Sequence, residues 1–316
     1  MICSCMSFRR LAILLCVAAG AACGTTRSWL PKIIVRAPNA GKTFDVVHDT
    51  PTAELRHLRV ERQLRIEVGP PAASLSVWVL KSNEPRATVL MLHGVRDNKR
   101  ALLRIGRRLA GAGYRVVLVD SRGHGCSTGE WLTYGVQESR DLVRVLDVLR
   151  SENLIVGPVG VYGVSYGAAT AIQFAAIEPR VKAVVAVAPY CEMTCEVKHY
   201  VRQLFWVPTW AISEEDVKQS LTRAGELAGF DPRSADVVQA IQQTAAPVLL
   251  IHGKQDRLVP VSDSQQLHAA AATHSELLIL RWDGHFTVMH DPAGTVSRAA
   301  IDWFDRQLKN GKPVVK

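Results

Sequence analysis

The sequence has few of the features that mark disulfide-stabilised, metal-binding or nucleic-acid-binding proteins. Only three of its seven cysteines lie beyond residue 23, too few for a disulfide framework, although Cys191 and Cys195 are close enough to form a local pair. It contains no His-Glu-x-x-His motif and no paired Cys/His spacing, so we expect no bound metal. No run dense in lysine and arginine carries interleaved aromatics, so nucleic acid is not an expected partner.

The composition instead fits a large globular domain with a basic surface. The chain has 316 residues, of which 48% are hydrophobic, and α/β folds of this length often form a single domain. Its formal net charge is +9, which suits proximity to an anionic membrane or an anionic substrate. Composition leaves the oligomeric state open.

The N-terminus has the pattern of an export signal. Arg9 and Arg10 precede an apolar stretch, residues 11–22, that is too short to span a bilayer comfortably. The stretch ends in small residues before Cys23, as in the lipobox of bacterial lipoproteins, although Gly20 stands where that pattern prefers leucine. We therefore predict a signal peptide over residues 1–22 and an exported protein of the bacterial cell envelope.

Acylation of Cys23 would tether the protein to a membrane. An ordinary cleaved signal, an uncleaved anchor and a cytoplasmic protein whose start is wrongly assigned are the alternatives. Residues 23–45 lack periodicity and carry prolines and glycines, so they are predicted to be a tether and lead-in. The folded domain is then expected over residues 46–316.

Hydrophobic patterning along that domain predicts alternating strands and helices. Two half-exposed strands come first and are expected to pair as an antiparallel hairpin. The later strands are apolar throughout and alternate with amphipathic helices, which is typical of a parallel sheet covered on both faces. The predicted strands cover residues 58–68, 75–80, 87–92, 115–119, 159–162, 181–188, 247–252 and 276–282. Residues 190–245 interrupt this rhythm, and we predict a helical cap there.

The centre of the domain is a Gly-x-Ser-x-Gly pattern at residues 163–167. It follows a valine-rich strand and precedes an alanine-rich helix, which is the context of a nucleophile elbow. Such a turn holds its serine at a strained, positive φ and presents the side-chain oxygen clear of the sheet. Both flanking residues must be small, because the strand and helix nearly touch there. Ser165 is therefore the candidate nucleophile.

Two further motifs follow strand ends, where open α/β sheets place their sites. Asp256 lies in the segment 252–260 directly after one strand, and His285 follows the last strand. The chain order Ser, Asp, His predicts that His285 is the base for Ser165 and that Asp256 orients His285. Glu192 also follows a strand and is a second-choice acid.

An acyl-transfer site also needs backbone donors for the oxyanion of its intermediate. We predict the N–H of Tyr166, which follows the nucleophile, and the N–H of Val95 in the loop after the first parallel strand. His93, Gly94 and Asn98 are expected to shape that loop.

These motifs resemble those of the α/β-hydrolases of the serine-hydrolase type. The chain is similar to their lysophospholipase-like and serine-aminopeptidase-like branch and to bacterial esterases with a His-Gly-x-x-x-Asn loop. The matching segments are residues 93–98, 120–127, 163–167, 252–256 and 284–285, within a resemblance over roughly residues 58–316. It implies the α/β-hydrolase fold, an eight-stranded, mostly parallel sheet flanked by helices with a helical cap, and no cofactor. It leaves the substrate open, because this fold hosts many chemistries.

The expected function is that of an exported serine hydrolase. It would cleave a small carboxylic ester through an acyl-enzyme on Ser165. A peptidase, thioesterase or acyltransferase with the same triad is the alternative within enzymes. A non-catalytic lipid-binding envelope protein is the alternative outside them, but it would need a broken triad, and no motif position is broken.

Overall fold

The computed structural model describes residues 26–41, 50–194, 196–197 and 213–308. The predicted signal peptide, Cys23 and Cys195 lie outside these residues, so export, lipidation and the local cysteine pair stay predictions. No helix in the described part of the chain is long and apolar enough to cross a membrane.

The core of the fold is one sheet of eight strands. The strands are β1 (Val60–Val68), β2 (Ala73–Leu80), β3 (Ala87–Leu92), β4 (Tyr114–Val119), β5 (Val159–Val164), β6 (Val181–Val187), β7 (Val248–Gly253) and β8 (Ser275–Leu280). Their spatial order is β1-β2-β4-β3-β5-β6-β7-β8. β2 is antiparallel to both of its neighbours, and all other pairs are parallel. The predicted eight-stranded, mostly parallel sheet is confirmed.

Helices cover both faces of this sheet, because each inner strand buries side chains on both sides. In chain order the helices are α1 (Thr26–Val35), α2 (Thr52–His57), α3 (Leu103–Gly111), α4 (Val136–Ser151), α5 (Tyr166–Ile177), α6 (Glu214–Ala228), α7 (Val237–Gln243), α8 (Val261–Ala270), α9 (His285–His290) and α10 (Thr295–Gln307). Apolar residues of α4 and α5 join the core on one face. Those of α3 and α10 form the core of the other face. All parallel strands therefore direct their carboxyl ends to one edge, where the candidate residues lie.

The prediction of a tether over residues 23–45 is wrong for residues 26–35, which form helix α1. Leu30, Ile34 and Val35 are each at most 3% exposed. The Tyr134 hydroxyl donates to the Ile34 carbonyl at 2.9 Å, and α1 packs against α6. Pro31 lies inside this helix, although a proline there suggests a loop. The helix forms because burial of its apolar face against the rest of the fold stabilises it.

Between β6 and β7 the described residues form helices and no strand, as the cap prediction requires. The helices there are α6, a short 3₁₀ helix Pro232–Ser234, and α7. Phe230 is partly buried and packs onto the main core, which favours a structural role for this aromatic over a substrate contact. Four further aromatic residues of the cap segment, Tyr200, Phe205, Trp206 and Trp210, lie outside the described residues.

Candidate active site

Ser165 stands at the sharp turn between β5 and α5. Its φ is +51°, the strained conformation expected of a nucleophile elbow, and its N–H donates to the Val187 carbonyl at 2.8 Å. A Cβ on Gly163 would lie 2.1 Å from the Gly167 carbonyl oxygen, and one on Gly167 would lie 2.4 Å from the Leu92 carbonyl oxygen. The start of α5 thus lies too close to β5 and to the end of β3 for a side chain at either glycine.

His285 connects the serine to a carboxylate. Its Nε2 lies 3.1 Å from the Ser165 Oγ, and its Nδ1 lies 2.6 Å from the Asp256 Oδ2. The three residues are between 5% and 8% exposed, so they are shielded from bulk water yet reachable at the sheet edge. Of the three residues predicted from the sequence as a triad, His285 therefore lies within hydrogen-bond distance of both Ser165 and Asp256.

The surroundings of Asp256 determine which tautomer His285 adopts. An ionised carboxylate only accepts hydrogen bonds, so the His285 Nδ1 carries the proton and donates to Oδ2. The Nε2 lone pair then faces the Ser165 hydroxyl. Burial opposes ionisation of Asp256, but hydrogen bonds from His252 and His285 and from the Val259 N–H outweigh it and hold the pKa of Asp256 below its usual range.

His252 holds the loop that presents Asp256. Its Nδ1 accepts from the Ser264 hydroxyl at 2.7 Å, which leaves the proton on Nε2. That Nε2–H donates to the Val259 carbonyl at 3.0 Å and lies 3.4 Å from the Asp256 Oδ2. His252 therefore links β7 to the turn that carries Asp256.

The loop after β3 lies against the nucleophile. A Cβ on Gly94 would be 3.7 Å from the Ser165 Cβ, so the loop backbone is adjacent to that side chain. Asp97 N–H closes a turn onto the Gly94 carbonyl at 3.2 Å, with Val95 inside the turn. Tyr166 is the first residue of α5, where backbone N–H groups have no acceptor within the helix. Both backbones predicted to stabilise an oxyanion therefore flank Ser165.

The His93 ring links this loop to the segment after β4. Its Nδ1 donates to the Gly94 carbonyl at 2.7 Å, and its Nε2 accepts from the Ser121 N–H at 3.1 Å. Complete burial lowers the pKa of His93, so the ring is neutral. Asn98 instead caps the following 3₁₀ helix by accepting from the Arg100 N–H at 3.0 Å.

Neither the second-choice acid Glu192 nor Asp291, which follows His285 closely in the sequence, is the carboxylate that contacts His285. Glu192 is exposed, and its backbone pairs with that of Asp236. Asp291 accepts from Arg108 at 2.8 Å and from the first turn of α10. Asp256 is the carboxylate on His285.

A buried ion pair that the sequence does not reveal lies behind the loop that contains Val95. Lys99 is 1% exposed and contacts both the Asp120 carboxylate and the Ser76 hydroxyl, the latter at 2.9 Å. Its backbone N–H also donates to Asp120, at 2.7 Å. The pair fixes the loop containing Val95 to the end of β4. Nothing in the sequence around Lys99 distinguishes it from a surface lysine.

A second missed residue, Glu196, lies in the cap segment after β6. It is 7% exposed and lines a cavity of about 20 Å³ together with Val95 and Tyr166. The cavity walls also include Tyr134 and Tyr190, whose rings pack edge to face at 6.3 Å. The space next to the loop that contains Val95 is thus narrow and mostly apolar, with Glu196 and two arginines, Arg36 and Arg96, among its lining residues.

Comparisons of sequence extend these observations. A profile of the family described as "Serine aminopeptidase, S33" matches residues 83–227. The uncharacterized protein YqkD of Bacillus subtilis is 29% identical over 57% of this chain and 59% of its own length. Monoacylglycerol lipase of Mycolicibacterium smegmatis is 25% identical over 63% of this chain and 80% of its own. The chain therefore spans less than two-thirds of the first of these relatives.

The fold also matches solved structures. The esterase Pf2001 of Pyrococcus furiosus superposes with a TM-score of 0.65 at 22% identity, over 85% of this chain and 99% of that one. At this identity the match concerns the arrangement of the sheet and helices.

Proposed function

Because the chain belongs to the α/β-hydrolase superfamily, we propose that it is a serine hydrolase that cleaves a carboxylic ester. The observation that carries the proposal is the hydrogen-bonded series from Ser165 through His285 to Asp256, at 3.1 Å and 2.6 Å. This series is the arrangement that makes a serine hydroxyl nucleophilic at neutral pH.

The proposed reaction has two halves. The Ser165 Oγ attacks the ester carbonyl carbon while the His285 Nε2 takes the hydroxyl proton, which gives a tetrahedral oxyanion. The N–H groups of Val95 and Tyr166 stabilise that oxyanion, and each such donor is worth about 10²–10³ in rate. The C–O bond then breaks, and the alcohol leaves with the proton from His285.

Water completes the cycle by the same route in reverse. His285 takes a proton from the water as its oxygen attacks the acyl carbon. The second tetrahedral intermediate collapses, the carboxylic acid leaves, and the Ser165 oxygen regains the proton. Asp256 stays ionised throughout, because its role is to stabilise the imidazolium form of His285.

Hydrolysis of p-nitrophenyl esters from acetate to palmitate tests the proposal. Ser165→Ala should reduce kcat by several orders of magnitude, whereas Ser151→Ala, at an exposed serine ending α4, should match the wild type. Equal activity of wild type and Ser165→Ala would refute the assignment of the nucleophile.

The family description favours a peptidase as the second candidate. The same triad would then cleave an amide, with an amine as the leaving group. A panel of aminoacyl p-nitroanilides and acyl thioesters, compared with esters of matched acyl groups by kcat/KM, separates the candidates. Higher kcat/KM on the anilides would make the enzyme a peptidase.

We also propose export, with Cys23 as the lipidated first residue of the mature protein, on the basis of the leader pattern alone. The intact mass of protein recovered from bacterial membranes tests this, with Cys23→Ser as the control. An unprocessed chain in the soluble fraction would contradict it.

A further inference from the structure

Large exposed hydrophobic side chains are concentrated on one short segment around His285. Four such side chains occur among the described residues, and three of them, Ile279, Trp282 and Phe286, lie between the end of β8 and the start of α9. Trp282 is 74% exposed and Phe286 is 66% exposed. Single exposed apolar residues are ordinary on soluble proteins, whereas several together mark an interaction surface. The segment 279–286 is therefore a candidate interaction surface.

Exposed basic residues accompany these hydrophobic side chains. The loops that follow β3, β7 and β8 carry four of them, Arg96, Lys254, Arg257 and Arg281. Two partly exposed carboxylates, Asp97 and Asp283, lie in the same loops, so positive charge is in excess there. The Arg281 guanidinium stacks over the Trp282 ring, 4.8 Å from its centroid, which joins one cation directly to the most exposed aromatic.

Backbone contacts bring the three loops together at the edge that holds the triad. The Gln255 N–H donates to the Asp283 carbonyl at 2.9 Å, so the loop after β7 lies against the segment 279–286. A Cβ on Gly94 would be 2.9 Å from the Met289 Cε, so the loop after β3 lies against α9. The hydrophobic and basic side chains therefore belong to one region of the surface around His285.

Helix α1 connects the N-terminus to the same edge. Ile34 near its end and Arg36 just after it line a cavity together with Val95 and Arg96 of the loop after β3. The helix has ten residues and so spans about 15 Å, and Cys23 precedes it by three residues. A lipid on Cys23, as proposed above, would therefore be attached within about 25 Å of that loop.

We propose that this surface docks the protein on an anionic lipid membrane. Trp282 and Phe286 would lie among the lipid headgroups, where aromatic side chains are favoured, and the basic residues would contact anionic headgroups. Docking in this orientation turns the edge that carries Ser165 toward the lipid. The inference goes beyond the proposed ester hydrolysis, because a membrane contact does not depend on the reaction at Ser165.

Hydroxyl-radical footprinting of the full-length protein tests which surface meets the membrane. Free protein and protein sedimented with vesicles of equal parts phosphatidylglycerol and phosphatidylcholine are oxidised, and mass spectrometry gives the oxidation rate of each residue. Ile177, which is 52% exposed and precedes β6 at the opposite edge of the sheet, is the internal control. We expect the vesicles to slow oxidation of Trp282 and Phe286 by on the order of fivefold and to leave that of Ile177 unchanged.

Charge reversal at the two edges provides matched variants. Lys254→Glu combined with Arg281→Glu should remove the protection of Trp282, because the anionic headgroups then repel this surface. Arg150→Glu combined with Lys182→Glu makes the same change at exposed residues near the amino ends of β5 and β6 and should leave that protection intact.

Three results would overturn the inference. The first is equal oxidation of Trp282 and Phe286 with and without vesicles, or no sedimentation with the vesicles at all. The second is slow oxidation of both residues in the free protein, because another part of the chain would then cover them. The third is an equal effect of the two charge-reversal pairs. None of these measurements involves ester hydrolysis, so they leave the proposed function to its own test.

Discussion

Asp256→Asn tests the proposed role of the carboxylate with an almost isosteric change. The Asp256 Oδ1 accepts from the N–H groups of Leu258 and Val259, both at 2.9 Å. An amide nitrogen cannot accept these bonds, so the asparagine must place its oxygen there. Its NH₂ group then occupies the position of Oδ2, 2.6 Å from the His285 Nδ1.

That orientation forces His285 into the wrong tautomer. Nδ1 must now accept from the asparagine, so the ring proton moves to Nε2, which faces Ser165. A protonated Nε2 cannot take the serine proton. The same substitution in the reference serine-protease triad lowers kcat about 10⁴-fold, which corresponds to about 5.4 kcal/mol of activation free energy.

Steady-state hydrolysis of p-nitrophenyl acetate measures the effect, with Ser165→Ala as the baseline and circular dichroism as the check on folding. We expect kcat of Asp256→Asn to fall by three to four orders of magnitude, close to that baseline. A folded Asp256→Asn variant within tenfold of the wild type would refute the reasoning, because the tautomer of His285 would then not depend on this carboxylate.

Three further changes probe the surroundings of the site. Gly167→Ala places a Cβ 2.4 Å from a carbonyl oxygen of β3, so urea denaturation should show the free energy of unfolding reduced by about 1–3 kcal/mol. Gly111→Ala is the control, because a Cβ there meets no atom within 4 Å. Equal stability of the two variants would contradict the close contact at Gly167. Lys99→Met leaves the Asp120 carboxylate without its cation and should cost about 3–5 kcal/mol by the same assay, and a neutral effect would mean that the pair does not fix the loop. The pKa of Glu196 is about 8 in the folded protein and about 4.5 in the unfolded chain, so between these pH values only the folded protein holds the proton. As the pH rises from 4.5 to 8, the free energy of unfolding of the wild type should therefore fall relative to Glu196→Gln, by on the order of 1 kcal/mol per pH unit. Thermal melts across that range give the difference, and a constant gap would mean that Glu196 is ionised at neutral pH.

Periodicity and turn chemistry suffice to predict the sheet and the nucleophile elbow. The inner strands are mostly apolar, and β3 and β4 are each followed at once by a polar residue, His93 and Asp120. The elbow is predictable because a positive φ and two close backbone contacts allow only a narrow sequence, Gly-x-Ser-x-Gly. Backbone geometry that only a few residue types can adopt is therefore predictable from a short stretch of sequence.

Helix α1 shows what local patterns miss. Its Pro31 suggests a loop, and the helix exists because Leu30 and Ile34 bury against the rest of the fold. That stabilisation comes from residues distant in the chain, among them Tyr134, whose hydroxyl binds the Ile34 carbonyl. A window of neighbouring residues does not contain this information.

Buried charged groups are missed for a related reason. A lysine or glutamate in the sequence is normally assigned to the surface, and the segments around Lys99 and Glu196 carry no motif that says otherwise. Lys99 is buried because Asp120, at the end of another strand, provides its partner. Glu196 is buried because the cap segment carries it over the loop containing Val95. Only the assembled fold brings these groups together.

Covalent labelling of Ser165 tests the central claim most directly. The folded protein would be treated with a fluorophosphonate and digested, and the modified peptide located by mass spectrometry. The account predicts a single adduct on Ser165 that is lost in Ser165→Ala and forms far more slowly in His285→Ala. An unlabelled Ser165 in folded protein, or an adduct on a different residue, would contradict it.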